Sequence, residues 1–200
     1  MRRDDRSLML SVDIEANGPI PGDYSMYSFG AVAFIPEKWD YFQEPKANII
    51  STFYGVCDEL PGAMEDPDTM AWWKTQPVAF KIARTNPRPP EHVMEDFALW
   101  VEETRAGLPV TVIGYPVTFD FMFLYWYHWH FMREMPEWGF QGYDIKTQAA
   151  VVADLYYRAA TKRRFPKQWF NGTERELAHH PVEDATAQAV LCMNIAEGRR

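Results

Sequence analysis

Asp13 and Glu15 stand two residues apart in a run, 7–16, that alternates like a β-strand. Leu8, Leu10, Val12 and Ile14 share one parity, and Met9, Ser11, Asp13 and Glu15 the other. A strand sends successive side chains to opposite faces, so both carboxylates leave the same side. Like charges at the edge of an apolar element are costly unless neutralised, and a divalent cation neutralises them directly. A strand end carrying two solvated acids has the same spacing. Two more acids fall in the first turns of predicted helices, Asp120 in GYPVTFDFMFL and Asp184 in HHPVEDATAQA. Each also reads as an acid that complements the positive end of its helix. Asp184 lies three residues before Ala187 and continues the stripe expected to be buried, whereas Glu183 does not. His179 precedes Asp184 by five residues, outside that helix. A lone histidine is commonly a surface or packing residue, but a loop in this place can carry an imidazole over a group that the helix holds. An all-carboxylate set with no cysteine suits hard Mg2+ or Mn2+ rather than zinc.

The elements that must hold these residues follow from hydrophobic periodicity. Three strand-like runs, 7–16, 24–36 and 48–56, come first with polar connections and suggest an antiparallel meander. A helix over 66–83 opens with Asp66 before Pro67, a capping residue ahead of proline at the first helical position. A helix over 90–107 carries Val93, Phe97, Trp100 and Val101 as its apolar stripe. A short β-branched strand, 109–114, follows, and helices over 118–134, 146–157 and 182–197 complete the chain. The last has Ala187, Val190, Leu191 and Ile195 as its candidate buried stripe. The order implies an α/β layer fold with a mixed sheet. No repeat or linker divides the chain, and 87–90 is the best candidate for a hinge between helices.

At 200 residues the chain suits one domain, able to bury about 70% of the surface its unfolded form exposes. Hydrophobic residues at 47% and charged residues at 24% are the balance of a soluble globular protein. Aromatics reach 16%, an excess consistent with extra surface buried between subunits. No apolar run approaches the roughly 18 residues of a membrane-spanning helix. Residues 1–6 are charged and lack the features of a signal peptide, so a cytoplasmic location is expected. Cys57 and Cys192 are too few for a disulfide framework or a cysteine zinc site. Twenty basic against 28 acidic residues give a net charge of −8, which argues against a protein that coats duplex DNA with a basic surface. It does not exclude an enzyme that meets an anionic substrate through bound cations; two divalent ions would bring the charge to about −4.

In this order and context, the four acids and the histidine resemble the DEDD superfamily of 3′–5′ exonucleases in its DEDDh branch, which includes ribonuclease T and the proofreading domain of bacterial DNA polymerase III. The first family motif is a strand ending D-x-E, here VDIEANG with Asp13 and Glu15. The next strand commonly contains I-G-A-V, here Phe29 to Val32 as FGAV. The second motif ends in F-D, here Phe119 and Asp120, and the third reads H-x-x-x-x-D-A, here His179 to Ala185. The resemblance covers 8–196. Within the superfamily, DPDTMAWWKTQ at 66–76 looks like a bacterial and phage exoribonuclease-like subgroup that carries D-P-x-T-x-x-W-W after its third strand. Where the family often places His-Asn ahead of the second motif, this chain has Tyr115 and Pro116, so no role is carried over for that asparagine.

The resemblance implies a ribonuclease H-like fold with a mixed sheet of about five strands flanked by helices, and a single exonuclease domain over 1–200. It implies a metal-dependent 3′–5′ exonuclease acting on the 3′ end of single-stranded RNA or DNA. Asp13 would bridge two Mg2+ or Mn2+ ions, Glu15 and Asp184 would complete the ion that holds the attacking water, and Asp120 would help from an outer position. His179 would be the general base, with His180 a competitor at a spacing of four. A homodimer is implied as well, as in ribonuclease T, and a cradle for the 3′-terminal nucleotide at Asn17, Gly18 and Ile20. From the residues themselves, Arg158, Lys162, Arg163, Arg164 and Lys167 crowd ten positions, with Phe165, Trp169 and Phe170 among or just after them. Such a surface can grip a single strand by phosphate pairing and base stacking. A solvated basic loop with its aromatics turned into the core fits the same sequence. His128 and His130 sit about 200° apart around a predicted helix and are read as packing or surface residues. At least one of Trp72 and Trp73 is expected in the core or an interface. Two readings of other classes remain: a nucleic-acid-binding module that keeps the fold without activity, and a glycosidase using Asp13 and Glu15 as its carboxylate pair. The glycosidase reading leaves Asp120, Asp184 and His179 unused.

Overall fold

The apolar parity of the first strand is where the structure is thickest. In a computed structural model, which describes residues 7–36, 48–173 and 179–197, strand β1 (Leu8–Ala16) lies in the middle of a five-stranded sheet of order β3-β2-β1-β4-β5. Strands β2 (Met26–Ile35) and β3 (Asn48–Val56) form the antiparallel meander, while β4 (Val110–Gly114) and β5 (Gly142–Asp144) run parallel to β1, so the sheet is mixed. Leu8, Leu10, Val12 and Ile14 pack on Val93, Phe97 and Val101 of α3 (Pro90–Arg105) and on Phe123, Leu124 and Tyr127 of α4 (Val117–Met132). The opposite face meets α5 (Ile145–Val152), α6 (Pro181–Glu197) and three short 3-10 turns between them, around Phe34, Ile113, Ile145, Trp169 and Ala189. Asp13 and Glu15 therefore leave β1 on the α6 side.

The expected helix over 66–83 is two helices, α1 (Pro67–Trp73) and α2 (Pro77–Ala83). Pro77 has no N–H to donate and pushes the residue before it out of helical geometry; Gln76 sits at φ −123°, ψ 55°. Strand β5 is three residues long, too short to show a period, and exists through its pairing with β4. Helix α5 stops at Val152, short of the expected 157; Asp154 takes a φ of +51°, and the chain continues as a 3-10 turn, Tyr157–Ala159. On α6 the buried residues include Asp184, Ala185, Gln188, Ala189, Leu191, Cys192 and Ile195; of the expected stripe Leu191 and Ile195 are buried, whereas Ala187 and Val190 are half-buried. The buried face thus keeps Asp184, Leu191 and Ile195 as expected, and adds the polar Gln188, which the helix turns toward the sheet. Among the described residues no helix is long and apolar enough to cross a membrane. Residues 1–6 of the signal-peptide argument lie outside the described residues.

Three local contacts fix the region around the β1 carboxylates. Trp73 donates through Nε1 to the Ala16 carbonyl at 2.9 Å, pinning α1 to the end of β1. The Asp144 side chain caps α5 through Thr147 N (2.8 Å) and also accepts from Val117 N at the start of α4 (3.0 Å). Gly30, the cross-strand partner of Asp13, lies under the first turn of α6. A Cβ there would stand 2.3 Å from the Pro181 carbonyl carbon and 2.4 Å from Val182 N, both backbone atoms. Only glycine lets the helix sit this low.

Gly30→Ala is accordingly expected to lower the free energy of unfolding by about 1–3 kcal/mol or more, the usual range for overpacking. Urea unfolding followed by circular dichroism measures this; a variant as stable as the parent would show that α6 does not rest on Gly30 as described.

Candidate active site

The sheet and two helices bring the four acids together. Asp13 and Glu15 come from the end of β1, Asp120 from the first turn of α4, and Asp184 from the first turn of α6. Glu15, Asp120 and Asp184 are 7%, 6% and 2% exposed, so these are not solvated acids, and Asp13 is half-buried between them. Three of the four have one oxygen tied by a fixed N–H donor. Gln188 Nε2 donates to Asp13 Oδ1 at 2.8 Å, Ile14 N to Asp120 Oδ1 at 3.1 Å, and His179 N to Asp184 Oδ2 at 3.0 Å.

His179 takes a left-handed φ of +53°, which turns the chain into α6. Its imidazole, one oxygen of Glu15 and one of Asp184 offer three ligand atoms within 4.8 Å of one another. The adjacent His180 faces elsewhere, its ring stacked on Tyr54 at 5.2 Å. Trp72 meets the His179 ring edge-to-face at 5.0 Å and is 39% exposed, while Trp73 is in the core. His128 is buried against Trp138, and His130 is exposed and stacked on Trp126, so the two do not converge.

Burial dominates the electrostatics. It raises the Asp13 carboxyl well above the ordinary range, with Asp120, Glu15 and Asp184 adding repulsion and Lys162 opposing it. Burial, then the charges of Asp184 and Asp120, push Glu15 up to about 8. Burial pushes Asp120 up to about 7 against the hydrogen bonds that favour its anion. Three acids that resist ionising, with Asp184 beside them and no thiol in the set, fit hard divalent cations, which stabilise the ionised oxygens directly.

Lys162 was one of five clustered basic residues, and spacing alone did not single it out. It is half-buried, its ammonium interacts with both Asp184 and Asp13, and it lies 5.4 Å from the centre of the Tyr115 ring. Arg163 and Arg164 are exposed in the same 3-10 turn, Lys162–Arg164. Phe165 and Trp169 are turned into the core, so the aromatic half of the expected basic-aromatic surface is packing. In the loop after β1, Asn17 is buried and its Oδ1 accepts from Ser25 N at 2.7 Å. A Cβ on Gly18 would lie 2.2 Å from the Tyr24 ring, so its glycine answers to Tyr24. Ile20 is half-exposed at 51%. Gln188 escaped sequence reasoning; its one signal was its place a helical turn after Asp184 on the same face.

Residues 8–196 match the family model described as a 3′–5′ exoribonuclease Rv2179c-like domain. The 3′–5′ DNA exonuclease Cap18 of Escherichia coli is 28% identical over 192 residues, covering 94% of this chain and 91% of its own. The nuclease domain of 3′hExo, a DEDDh family member solved bound to rAMP, superposes with a TM-score of 0.67 at 10% identity, over 97% of this chain and 94% of that one. Pop2p of S. pombe, solved in a Mg2+- and Mn2+-bound form, gives 0.59 at 16% identity, over 94% and 82%. The two structures establish the shared ribonuclease H-like fold.

The raised carboxyls set a sign for stability without metal. A carboxyl whose pKa is raised by folding binds its proton more tightly in the native state. Its contribution is therefore present below the unfolded value and lost as pH climbs through the folded one. For Glu15 that window runs from 4.5 to about 8, and for Asp120 from 3.8 to about 7. In EDTA the melting temperature is expected to fall between pH 5 and pH 8, and saturating Mn2+ should recover more at pH 8 than at pH 6. A melting temperature in EDTA that rises across that interval would contradict the burial of these acids.

Proposed function

We propose that this chain, which belongs to the 3′–5′ exoribonuclease Rv2179c-like domain family and is a DEDDh 3′–5′ exonuclease, shortens single-stranded RNA or DNA from the 3′ end in a reaction that needs Mg2+ or Mn2+. The observation that carries the reading is the convergence of Glu15, His179 and Asp184 within 4.8 Å, beside Asp13 and Asp120. Two divalent ions about 3.5–4 Å apart would supply charge neutralisation at the phosphate and a water that ionises readily. Asp13 would be shared by both ions, since it lies in the reach of all three other acids. Glu15 and Asp184 would hold the ion that carries the water, and Asp120 would support from the α4 side. His179 takes the proton of the attacking water as its oxygen bonds to phosphorus; the 3′ oxygen of the shortened strand leaves. Histidine suits this role near neutral pH. His179 rather than His180 fits, because His180 is stacked on Tyr54.

Among the described residues, Lys162 is the cation best placed to meet a phosphate beside these acids, and Arg163 and Arg164 extend that charge outward. The Asn17–Gly18–Ile20 loop borders the 3′-terminal nucleotide through the exposed Ile20, with Asn17 and Gly18 shaping the loop from within. The sheet and its two helical layers act as one exonuclease domain in the cytoplasm, where the buried free thiols Cys57 and Cys192 stay reduced. A homodimer belongs to the same proposal. After Asp120, α4 carries no Lys, Arg, Asp or Glu, and Phe119, Met122 and Trp129 are exposed on it. A helix apolar on all sides is ordinarily covered.

Labelled single-stranded RNA and DNA, with and without Mn2+, should show laddering from the 3′ end only with metal. Asp13→Ala is expected to abolish turnover and most Mn2+ binding. His179→Ala should lower kcat by about 10²–10⁴-fold with Mn2+ stoichiometry unchanged by calorimetry. If instead His180→Ala loses the acidic limb of the pH–rate profile and His179→Ala keeps it, the base is misassigned. Light scattering at micromolar concentration should give a dimer mass; a monomer mass removes that part of the proposal.

A further inference from the structure

Gln188 is 3% exposed and lies one helical turn beyond Asp184, on the same face of α6. Its two ends fare differently. Nε2 donates to Asp13 Oδ1 at 2.8 Å, a hydrogen bond that joins residues 175 apart in the chain. Oε1 is shielded from solvent and has no hydrogen-bond partner among the described residues. A buried acceptor without a partner costs stability, and an apolar side chain of the same size would avoid that cost. The rest of the buried stripe on α6 is largely apolar: Ala185, Ala189, Cys192 and Ile195. Packing alone therefore gives no reason for an amide at this position.

The orientation of the amide supplies the reason. An ionised carboxylate only accepts, so it requires the Nε2 end, and the opposite flip would set two acceptors against each other. With Oδ1 taken by Gln188, the carboxylate of Asp13 is held in one rotamer and its other oxygen is left for another ligand. Asp120 and Asp184 are held by backbone donors, the N–H groups of Ile14 and His179. The donor to Asp13 is a side chain, so a point substitution can release this carboxylate without moving backbone.

We propose that Gln188 is the positioning residue for Asp13: α6 delivers one metal-ligating carboxylate, Asp184, and one turn later the amide that orients another. This rests on the metal-dependent reading of the site above. Partners that orient a ligating side chain typically change metal affinity or activity by 10–100-fold when removed. A residue that only filled the α6–sheet interface would change stability instead.

The test compares the full-length chain with Gln188→Met and Gln188→Leu, both apolar and of similar size. Melting in EDTA, Mn2+ titration by calorimetry, and kcat and KM on a single-stranded oligonucleotide are measured for each. Expected are melting temperatures in EDTA no lower than the parent's, Mn2+ dissociation constants about 10–100-fold weaker at unchanged stoichiometry, and a loss carried by kcat with KM little changed. Mn2+ affinity within twofold of the parent in a folded variant would overturn the inference. So would failure of both variants to fold, because the amide would then serve the interface rather than the carboxylate. A parent chain that binds no Mn2+ would instead sink the metal-dependent reading itself, which keeps the two failures apart.

Discussion

Asp13, Glu15, Asp120 and Asp184 repel one another in a place where water screens them poorly, and the surrounding fold is arranged to keep them there. Left to themselves, four such side chains would rotate outward or stay protonated. The structure opposes rotation with N–H donors aimed at single oxygens: Ile14 on Asp120, His179 on Asp184 and Gln188 on Asp13. Each donor fixes one oxygen of its carboxylate in place. The site is thus strained electrostatically but ordered geometrically, a state that bound cations would relieve. The stability given up in holding it is recovered from the two apolar layers around β1.

Those donors arrive through one helix and one strand. Ile14 belongs to β1, between Asp13 and Glu15, so the strand that presents two acids also clamps a third from α4. Helix α6 contributes Asp184 and Gln188, and its lead-in contributes the His179 N–H and imidazole. All of this depends on how closely α6 approaches the sheet, which Gly30 sets from β2, directly across from Asp13. The glycine in FGAV is thereby a statement about a helix about 150 residues later in the chain, and not about the flexibility of its own strand.

What the sequence disclosed and what it withheld divide along the same physical line. Periodicity is local, so the parity of Asp13 and Glu15, the meander, and the first-turn positions of Asp120 and Asp184 were all legible. Pro77 is also a local signal, and the single helix expected over 66–83 left it unused. On α6 the burial of Asp184, Leu191 and Ile195 was legible, whereas that of Gln188 was not, because hydrophobicity was taken as the mark of burial at that position. Strand β5 depends on pairing with β4, and the Gln188–Asp13 bond joins the two ends of the chain; neither leaves a trace in spacing. Lys162 was visible only as one of a crowd. Its distinction is that the 3-10 turn folds it toward Asp184 and Asp13 while Arg163 and Arg164 stay outside.

The charge distribution bears on how such a site meets an anion. With a net charge of −8, the chain as a whole repels a polyanion, and the acids at its centre do so most strongly. Attraction must then be short-ranged and concentrated. On the proposed reading it resides in the bound cations, in Lys162 beside them, and in apolar and π surfaces near the site: Ile20 after β1, Trp72 against His179 and Phe119 next to Asp120 are all exposed. Stacking surfaces of this kind tolerate any base, because every base has a π-face, and they need an unpaired strand to reach it. A duplex would bring two lines of phosphates against the acidic surface while offering no free base faces. On the proposed reading, a preference for a single strand would therefore follow from the same excess of carboxylates that calls for the cations.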